Sequence, residues 1–319
     1  MRYFLFIIIA FSLSSCFKEE LPVQPLDRGS LLTNQVELTS SYSIQAYFDL
    51  GTNSVVQVQS KDVWDLAFDC SSSSFIRQNT ALTANAAITD TDVFEDVNSS
   101  TPVSFKYDHQ IGDTDSLAIG KWFEHGKVIV IDRGYALNGT VLGKLKFQMI
   151  SLENGTYTFR YSKLNGSDYH EGTVTKNDDY NHIGYSFTTH ASILHEPKKT
   201  DYDLCFTSYI HIFYEPDYTP YSVVGVLINP YNTSVHRDVN DKFLQFDYDA
   251  IDTLSFSTQA DRIGYDWKVV DINTSQYTTY PQITYIIKDS ENYYYKLHFL
   301  DYYNDNGQRG NPKFEFQLL

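Results

Sequence analysis

The residue types in this chain that can ligate or be covalently modified are nine His and three Cys. Cys16 closes the run Leu13-Ser14-Ser15-Cys16, which resembles a bacterial lipobox. Small residues before the cut fit the peptidase, and the Cys sulfur takes a diacylglycerol. The bland alternative is a plain signal peptide with an unrelated Cys at its end. Cys70 and Cys205 lie beside aromatic, strand-like runs and read either as a disulfide or as buried thiols. His211 shares a strand face with Tyr209 and Phe213 in Ser208-Tyr209-Ile210-His211-Ile212-Phe213, or is simply a half-buried His at a sheet edge. His190 and His195 flank Ala191-Ser192-Ile193-Leu194 and read as surface-loop residues or as ligands. His236 precedes Arg237, a cation beside an imidazole, in what also reads as a polar loop. His298 shares a face with Lys296 and is expected at solvent. His109, His125, His170 and His182 sit in polar, Gly- or Asp-rich surroundings that read as loops.

No His-x-x-His, His-Glu-x-x-His or Cys-x-x-Cys pair occurs, so a zinc site has no support. There is no Gly-x-Ser-x-Gly, no phosphate-cradling glycine loop and no Gly-x-Gly-x-x-Gly, so the chain reads as a non-enzyme. Asn177-Asp178-Asp179 and Asn304-Asp305-Asn306-Gly307 are acidic turns that do not complete an EF-hand pattern.

These side chains must be positioned by a chain of 319 residues with 40 acidic and 24 basic groups, a net charge of −16. That balance, with no basic block, excludes nucleic acid as an expected partner. Hydrophobic residues at 42% are enough for a core, and mean hydropathy of −0.34 excludes a polytopic membrane protein. Residues 1–15 read as a signal peptide: Arg2 supplies its positive start, and the apolar run Tyr3 to Leu13 is shorter than the ~20 residues that span a bilayer. The mature chain would begin at Cys16, held at the membrane by lipid alone, with residues 16–29 as a Pro-containing tether.

Aromatic residues reach 16%, with 26 Tyr and 21 Phe, and favour strands. Runs such as Tyr42 to Leu50, Val63 to Phe68, Lys144 to Leu152, Thr156 to Leu164, Asp203 to Phe213 and Tyr293 to Asp301 alternate as strands do. Glu153-Asn154-Gly155 and Asn165-Gly166 mark hairpin turns. Helical periodicity is scarce and best over Asp247 to Phe256. The expected fold is all-β, mostly antiparallel, with few short helices. A faint echo, Trp64-Asp65-Leu66-Ala67-Phe68 against Tyr202-Asp203-Leu204-Cys205-Phe206, points to two β lobes. The boundary falls near Glu196-Pro197-Lys198-Lys199, dividing a β-rich region 30–196 from a second, 197–319.

Several segments of the second half resemble the HmuY family of Bacteroidetes surface lipoproteins. They are Tyr202-Asp203-Leu204-Cys205-Phe206-Thr207, Pro220-Tyr221-Ser222-Val223-Val224-Gly225-Val226-Leu227, Ile263-Gly264-Tyr265-Asp266-Trp267-Lys268, Tyr285-Ile286-Ile287-Lys288-Asp289 and the tail from Tyr294 to Phe316. The resemblance is strongest over about 195–319, and the Trp64 motif is similar to the family's opening strand. Lys18-Glu19-Glu20, just after Cys16, is similar to the acidic signal that sends such lipoproteins to the outer face of the outer membrane. The resemblance implies an all-β fold and capture of haem, free or from a haem-carrying protein, at the cell surface. It also implies transfer to a TonB-dependent outer-membrane receptor. It implies axial ligation by two His or two Met. With two Met in all, and Met1 removed with the signal, only Met149 remains, so a Met–Met site is impossible in one mature chain. The candidate haem ligands are therefore His211, His190 and His236, with Arg237 available to a propionate. The rival reading is a non-catalytic surface lipoprotein that binds glycan or protein through its many Tyr.

Overall fold

The structure, a computed structural model, describes residues 29–319. The signal segment 1–15, Cys16, the Lys18-Glu19-Glu20 run and nearly all of the tether lie outside the described residues. The alternating runs fold into strands. In chain order β1 (Leu32–Gln35), β2 (Ile44–Asp49) and β3 (Ser54–Ser60) come first. Then follow β4 (Leu66–Asp69), β5 (Ile76–Gln78), β6 (Asn85–Ile88), β7 (Ile129–Asp132), β8 (Lys144–Glu153), β9 (Thr156–Lys163), β10 (His170–Thr175), β11 (His182–Ser186) and β12 (Ala191–Ile193). The second half holds β13 (Leu204–Phe213), β14 (Thr219–Ile228), β15 (Ser234–Asp238), β16 (Lys268–Asp271), β17 (Gln276–Thr279), β18 (Thr284–Lys288), β19 (Tyr294–Tyr303) and β20 (Arg309–Leu318). The fold is all-β and its ladders are antiparallel. At the β8–β9 turn both Asn154 and Gly155 have positive φ, 50° and 76°, the geometry for which Asn-Gly is suited. The 247–256 stretch forms only a 3-10 helix, Tyr248–Thr253.

The sheets run in the orders β12-β11-β4-β5, β10-β9-β8-β7-β6, β14-β13-β2-β3 and β1-β20-β19-β18-β15, with β16-β17 as a separate ribbon. The first two enclose one core around Phe68, Phe147, Phe159 and Tyr185. The other two enclose a second around Phe48, Phe206, Phe299 and Phe314, where Trp267 stacks on Phe299 at 3.9 Å. Each fully buried aromatic contributes about 1.5–3 kcal/mol of transfer free energy.

The two lobes share one topology, but the chain enters the second lobe part-way through. Strands β4 to β12 make the first lobe in sequence order. Their counterparts are β13, β14, β15, β18, β19 and β20, followed by β1, β2 and β3. Residues 30–60, grouped with the first half by sequence position, therefore pair with the second half: β1 with β20, and β2 with β13. Both ends of the described chain meet in one sheet, with Leu32 opposite Phe316.

The sequence echo marks the same place in both lobes. In the first, Asp65 N–H donates to Tyr185 O, and its carboxylate accepts from Phe187 N–H at 2.7 Å. In the second, Asp203 N–H donates to Phe48 O, and its carboxylate accepts from Leu50 N–H at 2.9 Å. A buried Asn completes each latch. Asn79 Nδ2 donates to Lys61 O and Trp64 O, both at 2.7 Å. Asn229 Nδ2 donates to Lys199 O at 2.8 Å and Tyr202 O at 2.7 Å. Within each motif the Leu and Phe enter the lobe core, while Ala67 and Cys205 face the other way. Those small residues let the two inner sheets approach across the lobe junction. Cys205 and Cys70 are both buried and free.

The latches differ in charge. Arg133 grips Asp65 with two hydrogen bonds, 2.7 and 3.2 Å. Asp203 has the acidic Asp289 and Asp49 as its charged influences, and burial pushes its carboxyl from an ordinary 3.8 up to about 7.

Removing either Asn side chain leaves buried carbonyls without donors. Asn79→Ala and Asn229→Ala should each lose about 2–4 kcal/mol in denaturant unfolding. A loss below about 0.5 kcal/mol would show the latches to be incidental. Asp203 holds a proton in the folded state that the unfolded chain releases, so its contribution to stability falls as pH rises from about 4 to about 7. Asp203→Asn keeps an acceptor for Leu50 and should gain stability relative to wild type across that window. Parallel unfolding midpoints from pH 4 to 8 would reject the assignment.

Candidate functional site

An open cleft of about 440 Å³ lies at the edge of the first lobe. It is built where β9, the β9–β10 turn and the turn after β11 converge with the end of β7 and the start of β8. Ser186 pairs with Ala191, so the chain reverses over four residues and His190 takes a positive φ of 54°. That turn lays the His190 ring on His170, the first residue of β10, with centroids 3.8 Å apart and planes 18° from parallel. His170 in turn stacks on Tyr161 at 5.3 Å.

His190 Nδ1 is 2.8 Å from the Tyr161 hydroxyl, which is 3.1 Å from the Tyr185 hydroxyl. Burial, and then the Tyr185 contact, hold the Tyr161 phenol well above its ordinary range, so it stays protonated. When Tyr161 donates to Tyr185, its oxygen accepts from His190 Nδ1–H. The imidazole Nε2 is then the unprotonated nitrogen, free to ligate. His170 Nε2 is 3.0 Å from Asp168 Oδ1, and Lys163 Nζ is 3.4 Å from Asp168 Oδ2. The His170 hydrogen bond, then that of Lys163, holds the Asp168 carboxyl below its ordinary value.

The cleft is lined by Tyr161, Phe187 and Leu145, together with Lys144, 3.7 Å from Asp132 Oδ2, and Lys163, paired with Asp168. Arg133 also lines it but is committed to Asp65 and to Thr188 Oγ1 at 2.6 Å. An aromatic lining, one exposed imidazole and two ammonium groups would suit a flat, anionic, metal-bearing ligand. The donor set covers one face only. Stacked rings present their edges side by side, so His170 and His190 do not ligate one iron from opposite faces of a porphyrin.

The other two candidate ligands lie elsewhere. His211 sits on β13, between Phe213 at 4.7 Å and Tyr265 at 4.9 Å, with Asp261 3.8 Å from Nδ1. Burial lowers its pKa against the pull of Asp261. His236 sits on β15, its Nδ1 donating to Ser255 O at 3.0 Å beside Phe246 and Phe256. His211 and His236 thus belong to two different sheets and His190 to the turn between β11 and β12, and no hydrogen bond or ring contact joins any two of them among the described residues. His170, expected in a loop, is a strand residue and the actual neighbour of His190. His195, expected at the surface, is only 4% exposed, and burial lowers its pKa to about 4. The neighbouring polar sequence hid both, because burial here comes from strands distant in sequence. His298 is stacked on Phe243 at 3.8 Å rather than free in solvent. Among the described residues no cluster of three His, Cys, Asp or Glu is placed to hold a metal, and no helix is long and apolar enough to cross a membrane.

No curated protein matches the sequence. Among solved structures the chain is similar to apo PinO from Porphyromonas gingivitis, with 10% identity, a TM-score of 0.35 and coverage of 91% of this chain and 99% of that one. It is similar to the apo HmuY analogue TFO of Tannerella forsythia, at 9% identity and TM-score 0.27, covering 92% and 98%. It is also similar to a putative HmuY-like heme binding protein from Bacteroides vulgatus, at 10% identity and TM-score 0.24, covering 90% of each. The model of the family described as HmuY protein matches residues 41–316, extending across both lobes the resemblance seen most strongly over 195–319. The chain belongs to the HmuY family.

Proposed function

We propose that the protein captures haem at the cell surface as an outer-membrane lipoprotein and hands it to a TonB-dependent receptor. Family membership supports the ligand class. The observation that carries the reading is the His190 cleft, where an exposed imidazole, its Nδ1 2.8 Å from the Tyr161 hydroxyl, stands with Tyr161, Phe187, Lys144 and Lys163 around one opening. His190 would hold the iron, Tyr161 and Phe187 would pack the macrocycle, and the two ammonium groups would meet the propionates. Haem bound there would supply an iron centre for transport, not for turnover. Tyr161, when it donates to Tyr185, would fix the His190 tautomer with Nε2 unprotonated, and His170 holds the ring plane by stacking. The lipid on Cys16 would keep the protein at the membrane, close to its receptor.

A second reading, non-catalytic binding of glycan or protein, draws on Tyr214, Tyr218 and Tyr221. They stand 59%, 54% and 61% exposed around the β13–β14 hairpin, where flat rings can stack on sugars.

Haemin titrated into protein lacking residues 1–16 should give a saturable Soret shift. His190→Ala should weaken binding by at least about tenfold, equivalent to ~1.4 kcal/mol. His211→Ala and His236→Ala should leave the spectrum unchanged. Loss of the shift in His211→Ala, with His190→Ala unaffected, would move the site to β13. Failure of wild type to shift the Soret band, with retention on a glycan array lost on replacing the three exposed Tyr, would establish the second reading. Replacing Lys144 and Lys163 by Glu should weaken haemin binding several-fold at low salt and less at high salt.

A further inference from the structure

A second cavity, of about 220 Å³, lies at the junction of the lobes. It exists because the facing residues are small. Ala67 sits between core-facing Leu66 and Phe68, Cys205 sits between Leu204 and Phe206, and Gly184 pairs with Ala67. A Cβ on Gly184 would come within 3.0 Å of His195 Nδ1, so glycine is what admits the His195 ring. The segment 108–112 contributes to the wall and straps the lobes together: Ile111 O accepts from Ala260 N–H at 2.9 Å, and Gln110 Oε1 from Ile212 N–H at 3.2 Å.

The polar groups of this cavity fall into two sets. The charged ones are compensated. Glu196 accepts from His182 N–H at 2.6 Å and from the Tyr202 hydroxyl at 3.3 Å, and Arg77 Nε donates to His182 Nε2 at 3.2 Å. Asp108 accepts three N–H bonds, two from Gln78 and one from Ala118. Four neutral atoms are not satisfied. His195 Nδ1, the Tyr209 hydroxyl, Gln78 Oε1 and the Ser208 hydroxyl have no hydrogen-bond partner, although these residues are 4%, 2%, 3% and 4% exposed. Four orphaned polar atoms on the residues of one cavity wall are costly, about 1–3 kcal/mol each, unless something in the cavity bonds them. His195 stays neutral well below pH 7, so its ring offers one donor and one acceptor. Trp64, 4.6 Å from the His195 ring, with Tyr47 and Tyr202, makes the remaining wall aromatic.

From this geometry we infer that the junction cavity is a second binding site, distinct from the His190 cleft, for a small neutral aromatic molecule carrying a hydrogen-bond donor and acceptor. Neutrality follows because the charged groups of the wall, Glu196, Asp108 and Arg77, already hold hydrogen-bond partners, while the unpaired atoms are neutral. Aromatic character follows from the ring walls, and the donor and acceptor from the four unpaired atoms. The rival occupant is water, for which the cavity has ample room.

The test uses indole and phenol as probes, with the His195 ring C–H resonances read by NMR on the mature chain. Saturable shifts with either probe are expected. Ala67→Leu, which fills the void, should weaken binding by more than about tenfold. Tyr209→Phe, which removes one partner and little volume, should weaken it several-fold and carries the test if Ala67→Leu does not fold. Haemin titration should be unaltered in both variants, so failure of the haem reading and failure of this one are distinguishable. No saturable shift with either probe in wild type, the signature of a void holding water only, would overturn the inference. So would equal affinity in Ala67→Leu or in Tyr209→Phe.

Discussion

A buried carboxylate set at the start of each lobe's leading strand is the constraint on which the rest of this structure depends. Asp65 and Asp203 each tie that strand to its neighbour through backbone donors two residues beyond a paired position. Asn79 and Asn229 then close the approach segment by donating to two carbonyls each. With those polar groups satisfied, Leu66 and Phe68, or Leu204 and Phe206, can point into a dry core. The strands beyond the latch are held by register and aromatic packing, which give no comparable reason for their starting point. Charge separates the two latches. Arg133 neutralises Asp65, whereas Asp203 depends on amide donors among acidic neighbours.

The same motif shapes the space between lobes. Alternation along a strand means that whatever separates Leu from Phe must face outward from the core. Here it is Ala in one lobe and Cys in the other. Small residues there allow close sheet approach without filling the gap, and His195, Trp64, Tyr47 and Tyr202 occupy part of it. A junction closed by large aliphatic residues would hold the lobes together equally well. The observed lining instead mixes rings with unpaired polar atoms, which favours an interior that receives something.

The His190 cleft has a different physical origin. It lies at a sheet margin, where turns end pairing and release side chains from the pleat. Its imidazole is positioned by stacking and by a tyrosine hydroxyl chain, so the ring is set from behind by buried groups while its front stays open.

The sequence alone determined strand content, hairpin turns and the two-lobed character. Alternation, Asn-Gly chemistry and a repeated Asp-Leu-x-Phe run are local signals, carried by backbone geometry within a few residues. It also pointed to the family through ordered motifs. What only the tertiary structure decided is which distant strands pair. Residues 30–60 join the second lobe because an edge strand is chosen by register and buried face, neither of which depends on proximity in the chain. For the same reason His211, His190 and His236 were legible as candidate imidazoles but not as three separate places, on β13, in the β11–β12 turn and on β15. The partnership of His190 with His170 and Tyr161, and the burial of His195, come from side chains of different strands meeting in space. No spacing within a single strand encodes such a meeting.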